Sequence, residues 1–149
     1  MILKIFLGIA VLLGLIWSFK YGNIKSRIIT IGLALSISLV FIPVQLWKTL
    51  GLVMYMLFVV SAFLYGIINK GLSTFERTIV SIMTLPILAY WLFALNHFPG
   101  LNVLRFVMIL PIILFFVGVS KKNAIKAELG FLLIFAMDAI TVIMDAWMI

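Results

Sequence analysis

The chain has 149 residues, of which 66% are hydrophobic and 10% charged, with a formal net charge of +7. Typical soluble domains carry roughly 45–50% apolar and about 25% charged residues, so this sequence lacks the polar groups to cover a water-facing surface, and the lipid bilayer is the solvent that fits. It has no cysteine, which excludes disulfides, thiol catalysis and Cys-held metals, and one histidine, His97, which leaves no His cluster for a metal.

Crossing the hydrocarbon as a helix takes about 20 apolar residues. Six segments meet that length: 2–19, 28–46, 49–68, 78–96, 101–119 and 129–148. The expected fold is therefore all-α, a polytopic integral membrane protein built as one domain over 1–149, a bundle of about six short transmembrane helices. The first segment has Lys4 ahead of its apolar stretch but no A-x-A-like cleavage site, and a basic cluster follows it, so it reads as a retained helix rather than a signal peptide. Short links join the segments, and "HFPG" (97–100) supplies Pro and Gly for a tight turn between the fourth and fifth.

Charge sets the expected orientation. Lys20, Lys25, Arg27, Lys70, Arg77, Lys121, Lys122 and Lys126 lie in the first, third and fifth links, eight basic residues against three (Lys4, Lys48, Arg105) on the other side. The positive-inside rule puts the eight in the cytoplasm and both termini outside, in a multi-pass protein of a cell membrane, here expected to be a bacterial inner membrane. A pI this basic also suits nucleic acid, but charges confined to links between apolar runs have a topological reason, so no nucleic-acid partner is expected. Trp47, Trp91 and Trp147 near the outer ends, and Trp17, Tyr21 and Tyr65 near the inner ends, read as interfacial belts. Glu76 and Glu128 read as solvated charges at helix starts on the cytoplasmic side.

The candidate site is on the last segment, "AMDAITVIMDAW" (136–147), where Asp138 and Asp145 interrupt the hydrocarbon. At 1.5 Å per residue Asp138 stands near the middle of the span and Asp145 about one turn from its outer end. An Asp at the helix centre costs about 2.5–3.5 kcal/mol on insertion scales, so Asp138 needs a partner, a proton or a wet cavity. Asp138, Thr141 and Asp145 share one helix face, expected to look into the bundle. Arg105, one turn inside the fifth segment, matches Asp145 in depth and is an ion-pair candidate. Pro86 and Pro111 are expected to break their helices near the depth of Asp138, freeing the carbonyls of Ile82 and Val107. With Ser36, Ser38 and Thr84 at a similar level, these groups are the ingredients of a proton or cation site. The bland reading is that proline bends helices, Ser and Thr bond back to their own helix, and one Asp locks packing.

Enzymatic chemistry is not expected. Asp138 and Asp145 are about 10 Å apart along the helix axis, too far to share a proton, and no nucleophile–base pair, P-loop or zinc-binding motif occurs. No cofactor or metal is called for. Two functions remain. The first is an accessory or assembly subunit of a larger membrane complex, with Asp138 engaging a partner; the second is a small proton- or cation-coupled transporter or channel built on Asp138. Either suits a homo-oligomer or a larger assembly in the bilayer.

Overall fold

The computed structural model describes residues 2–121 and 123–147; Lys122 and Met148 lie outside the described residues, as does the side chain of Trp147. Among the described residues seven helices follow one another: α1 Ile2–Tyr21, α2 Ile24–Phe41, α3 Gln45–Ile68, α4 Thr74–Leu95, α5 Leu101–Val107, α6 Ile109–Ser120 and α7 Leu129–Trp147. Among the described residues there is no strand. Five stretches among them are long and apolar enough to cross a membrane: α1, α2, α3, α4 and the α5–α6 unit Leu101–Ser120. α7 adds a sixth apolar helix of 19 residues.

Helix ends depart from the apolar runs where local chemistry intervenes. α2 begins at Ile24, not 28, because Asn23 caps it, its side-chain oxygen accepting from the Ser26 N–H at 2.8 Å. It stops at Phe41, not 46, because Ile42 precedes Pro43 and takes the extended backbone that a following proline imposes. α4 starts at Thr74, not 78: Ser73 and Glu76 form a reciprocal capping box, so Glu76 caps the helix rather than only decorating it.

The two prolines behave differently. Pro86 lies inside an unbroken α4. At Pro111 the expected fifth helix divides into α5 and α6 at Met108, a buried residue whose N–H contacts the carbonyls of Leu104 and Arg105. Proline at position 111 cannot donate to Val107, and the chain answers with a tightened turn just before it.

Consecutive helices pack side by side, so the bundle has two ends. The basic end holds the α1–α2, α3–α4 and α6–α7 links; the turn end holds the α2–α3 and α4–α5 links. α7 is the hub. It packs against α1, α2, α4, α5 and α6, and buries Phe131, Leu132, Ile134, Phe135, Ala136, Ala139 and Val142. Its closest approach is to α1, where Gly14 and Gly130 face each other: a Cβ on Gly14 would stand 2.6 Å from the Gly130 carbonyl oxygen, and one on Gly130 would stand 2.7 Å from that of Gly14. The outward faces of α1, α3 and α5–α6 stay apolar, with Leu12, Ile16, Leu57, Phe106 and Phe116 all more than half exposed. Water does not tolerate a contiguous apolar surface of this kind, and it fits a multi-pass membrane protein.

Candidate functional site

α3 and α7 run antiparallel across a gap bridged by two tyrosine–carboxylate rungs. Tyr55 Oη donates to Asp138 Oδ2 at 2.7 Å, and Tyr65 Oη donates to Glu128 Oε1 at 2.7 Å. Ten residues separate the tyrosines (55 to 65) and ten separate the acids (128 to 138), in opposite chain directions, as an antiparallel pair requires. The rungs stand about 15 Å apart at 1.5 Å per residue. Between them Val59, Ala62, Phe131 and Phe135 are wholly buried, so the seam from one acid to the other is closed by hydrocarbon.

The Asp138 rung is the more elaborate. Trp91 Nε1, on α4, donates to the same Oδ2 at 3.0 Å. Asp138 is only 4% exposed, and no donor among the described residues reaches its Oδ1. Hydrogen bonds to a charged group contribute about 1.5–3 kcal/mol each, the scale needed to offset an acid inside hydrocarbon. Trp91 stands edge-to-face with Tyr55 (centroids 6.0 Å, interplanar 69°) and with Tyr90 (5.6 Å, 83°). These groups border a cavity of about 150 Å³ that reaches from Asp138 past Thr141 to Asp145, with Leu7, Phe41 and Tyr90 among its walls. Asp145 is exposed, and it marks the mouth at the turn end.

The other sequence candidates fall as follows. Thr141 lines the cavity, but its hydroxyl donates to the Asp138 carbonyl at 2.7 Å, a bond within its own helix. Arg105 Nη1 donates to Asn102 Oδ1 at 3.3 Å, and its Nε is buried with no partner among the described residues. The structure does not bring Arg105 to Asp145. Pro86 and Pro111 are buried, yet neither lines the cavity, and Ile82 and Val107 sit on the outer surface of the bundle. Ser36, Ser38 and Thr84 bond back to the carbonyls of Gly32, Ala34 and Val80 at 2.6, 2.8 and 2.9 Å, so their hydroxyls are engaged on their own helices. Among the described residues no group of three or more His, Cys, Asp or Glu is placed to hold a metal.

Three residues read as surface features are structural. Trp91 and Tyr65, expected in interfacial belts, donate to buried acids. Glu128, expected to be solvated, is 1% exposed. The link before α7 folds back onto the bundle and carries Glu128 inside. Ile125 is wholly buried against Gly118, Trp17 Nε1 donates to the Lys126 carbonyl at 2.9 Å, and Ser26 Oγ donates to that of Ala127. Asn23 Nδ2 in turn donates to Tyr65 Oη at 2.8 Å, completing an Asn23–Tyr65–Glu128 chain. Glu128 Oε2 and Ser18 Oγ are buried with no partner among the described residues. Burial pushes the Glu128 carboxyl above its ordinary 4.5, and the bond from Tyr65 pulls it back part of the way. The matched ten-residue spacings were the one sign of these rungs in the sequence.

No protein-family description, curated protein or solved structure matches the chain.

Proposed function

We propose that this is a multi-pass integral membrane protein of six spans that binds a cation in the Asp138 cavity and acts as a small proton- or cation-coupled transporter or channel. One observation carries the reading: a buried carboxylate with one oxygen held by Tyr55 and Trp91 and the other left to a cavity that reaches the exposed Asp145. In hydrocarbon an ionisable group facing a cavity is a functional site by default. The charge layout supports it. Lys20, Lys25, Arg27, Lys70, Arg77, Lys121 and Lys126 gather at the basic end, opposite the cavity mouth, so an approaching cation meets Asp145 first. By the positive-inside rule the basic end faces the cytoplasm and the mouth and both termini face outside, in a bacterial inner membrane. The test is flux of protons and monovalent cations in liposomes. Asp138→Asn keeps an acceptor for Tyr55 and Trp91, so the protein folds and flux is lost; unchanged flux in the variant refutes the reading.

A second reading is an accessory subunit of a larger membrane complex or homo-oligomer. The closed seam of Val59, Ala62, Phe131 and Phe135 favours it, because a monomer in this state offers no path from Asp138 to Glu128, and a subunit needs none. The α5–α6 unit, the least buried of the five long apolar stretches, is its natural contact face. Here Asp138 locks α3, α4 and α7 together and shapes the subunit, rather than reaching a partner. Stoichiometric co-purification of another membrane protein, with no flux from the isolated chain, selects this reading.

A further inference from the structure

We propose that the ligand of the Asp138 cavity is a small organic ammonium ion, held by the free Asp138 oxygen and by the aromatic faces beside it. This deepens the cation-site reading and rests on it. The chemistry of the cavity wall favours such an ion over a metal. A hard metal ion such as Ca²⁺ takes about 6–8 oxygen ligands. At its deep end the cavity offers one unengaged carboxylate oxygen, Asp138 Oδ1; Oδ2 already accepts from Tyr55 and Trp91, and the Thr141 hydroxyl is donated to the Asp138 carbonyl. Apart from the Tyr90 hydroxyl and the Asp145 carboxylate toward the turn end, the remaining walls are hydrocarbon and aromatic, including Leu7, Val40 and Phe41. That composition strips a metal ion of its water and returns few ligands, whereas it suits the methyl or methylene groups of an ammonium ion.

The aromatic groups add attraction as well as fit. Tyr55, Tyr90 and Trp91 all line the cavity, and Trp91 meets the other two at 69° and 83°, so the three ring planes stand at steep angles to one another. A cation over an aromatic face is attracted by the ring's negative quadrupole, most strongly where both are desolvated. A bare proton needs neither this space nor these walls. A volume of about 150 Å³ admits an ion of tetramethylammonium size and excludes a bulky drug-like cation. Asp145, seven residues along the same helix at the mouth, supplies the attraction that draws the ion in.

The experiment is calorimetric titration of the purified full chain in detergent with tetramethylammonium chloride, with sodium chloride at equal ionic strength as the comparison and proton uptake followed in parallel. Tetramethylammonium binds and sodium does not displace it. Asp138→Asn weakens binding at least about tenfold, and Tyr90→Leu weakens it about tenfold while Tyr90→Phe stays within about threefold, because the face and not the hydroxyl does the holding. Monodispersity on size exclusion qualifies each variant, and Tyr90→Leu decides alone if Asp138→Asn does not fold. Sodium or proton binding that depends on Asp138, without tetramethylammonium binding, overturns the ammonium assignment and leaves the cation site standing. Tetramethylammonium binding indifferent to both Asp138→Asn and Tyr90→Leu overturns the assignment as adventitious. No binding of any cation overturns both this proposal and the cation-site reading beneath it.

Discussion

The bond between Tyr55 and Asp138 is the sharpest point at which the arrangement of the bundle can be tested. Tyr55 and Asp138 are both 4% exposed and 83 residues apart in the chain, and their oxygens lie 2.7 Å from each other. Tyr55→Phe removes the hydroxyl and changes little else, since the ring keeps its packing against Trp91. Asp138 Oδ2 is then left with the Trp91 N–H alone, at 3.0 Å. A buried hydrogen bond contributes about 0.5–1.5 kcal/mol between neutral groups and about 1.5–3 kcal/mol to a charged one, so Tyr55→Phe is expected to cost about 1–3 kcal/mol. Asp138→Leu removes the other partner, and the double variant closes a cycle. Residues in direct contact couple by about 0.5–3 kcal/mol, and independent ones add within about 0.3–0.5 kcal/mol. The assay is reversible unfolding in mixed micelles with increasing sodium dodecyl sulfate, followed by tryptophan fluorescence. A coupling of at least about 1 kcal/mol is expected; strict additivity within about 0.3 kcal/mol refutes the contact and with it the α3–α7 register.

Two further expectations concern Glu128 and the orientation. The folded-state pKa of Glu128 lies above its ordinary 4.5, so the unfolded chain ionises first as pH rises; the stability this group contributes is full below 4.5 and is lost as pH climbs through the raised folded value. Unfolding midpoints measured from pH 4 upward should therefore fall more steeply in the native protein than in Glu128→Gln, which keeps an acceptor for Tyr65, and equal slopes would show Glu128 to be solvated. Because the chain has no cysteine, single introduced thiols report topology cleanly. An impermeant maleimide should label Asn96→Cys in intact cells and Lys70→Cys only after permeabilisation, and the opposite pattern would invert the proposed orientation.

Much of the helix layout is a local property and was legible residue by residue. Apolar run length set the number of segments, and where a segment's bounds moved, the cause was again local: the Asn23 cap, Pro43 after Ile42, the Ser73–Glu76 box, and Pro111 dividing α5 from α6 at Met108. Asp138 stood out for an equally local reason, the cost of a carboxylate in the middle of an apolar run. Nothing local named its partners. Trp91 and Tyr65 satisfy a membrane-belt pattern as well as they satisfy a buried acid, because an amphipathic ring with one polar atom suits both settings. The depth match that paired Arg105 with Asp145 ignored rotation about each helix axis, and Arg105 instead reaches Asn102 on its own helix.

Those choices depend on how the helices are turned and stacked against one another. The Gly14–Gly130 approach brings α1 against α7, and α7, packed on five neighbours, takes its rotation from all of them at once. That rotation aims Asp138 at Tyr55 and Trp91, and the folded-back link before α7 draws Glu128 to Tyr65. Run length and burial cost are counted along a single helix, and they were enough to call for a bundle of apolar helices with one acid in need of partners. Which donors satisfy it, and that a second acid is buried at the other end of the same seam, follow from contacts between residues tens of positions apart.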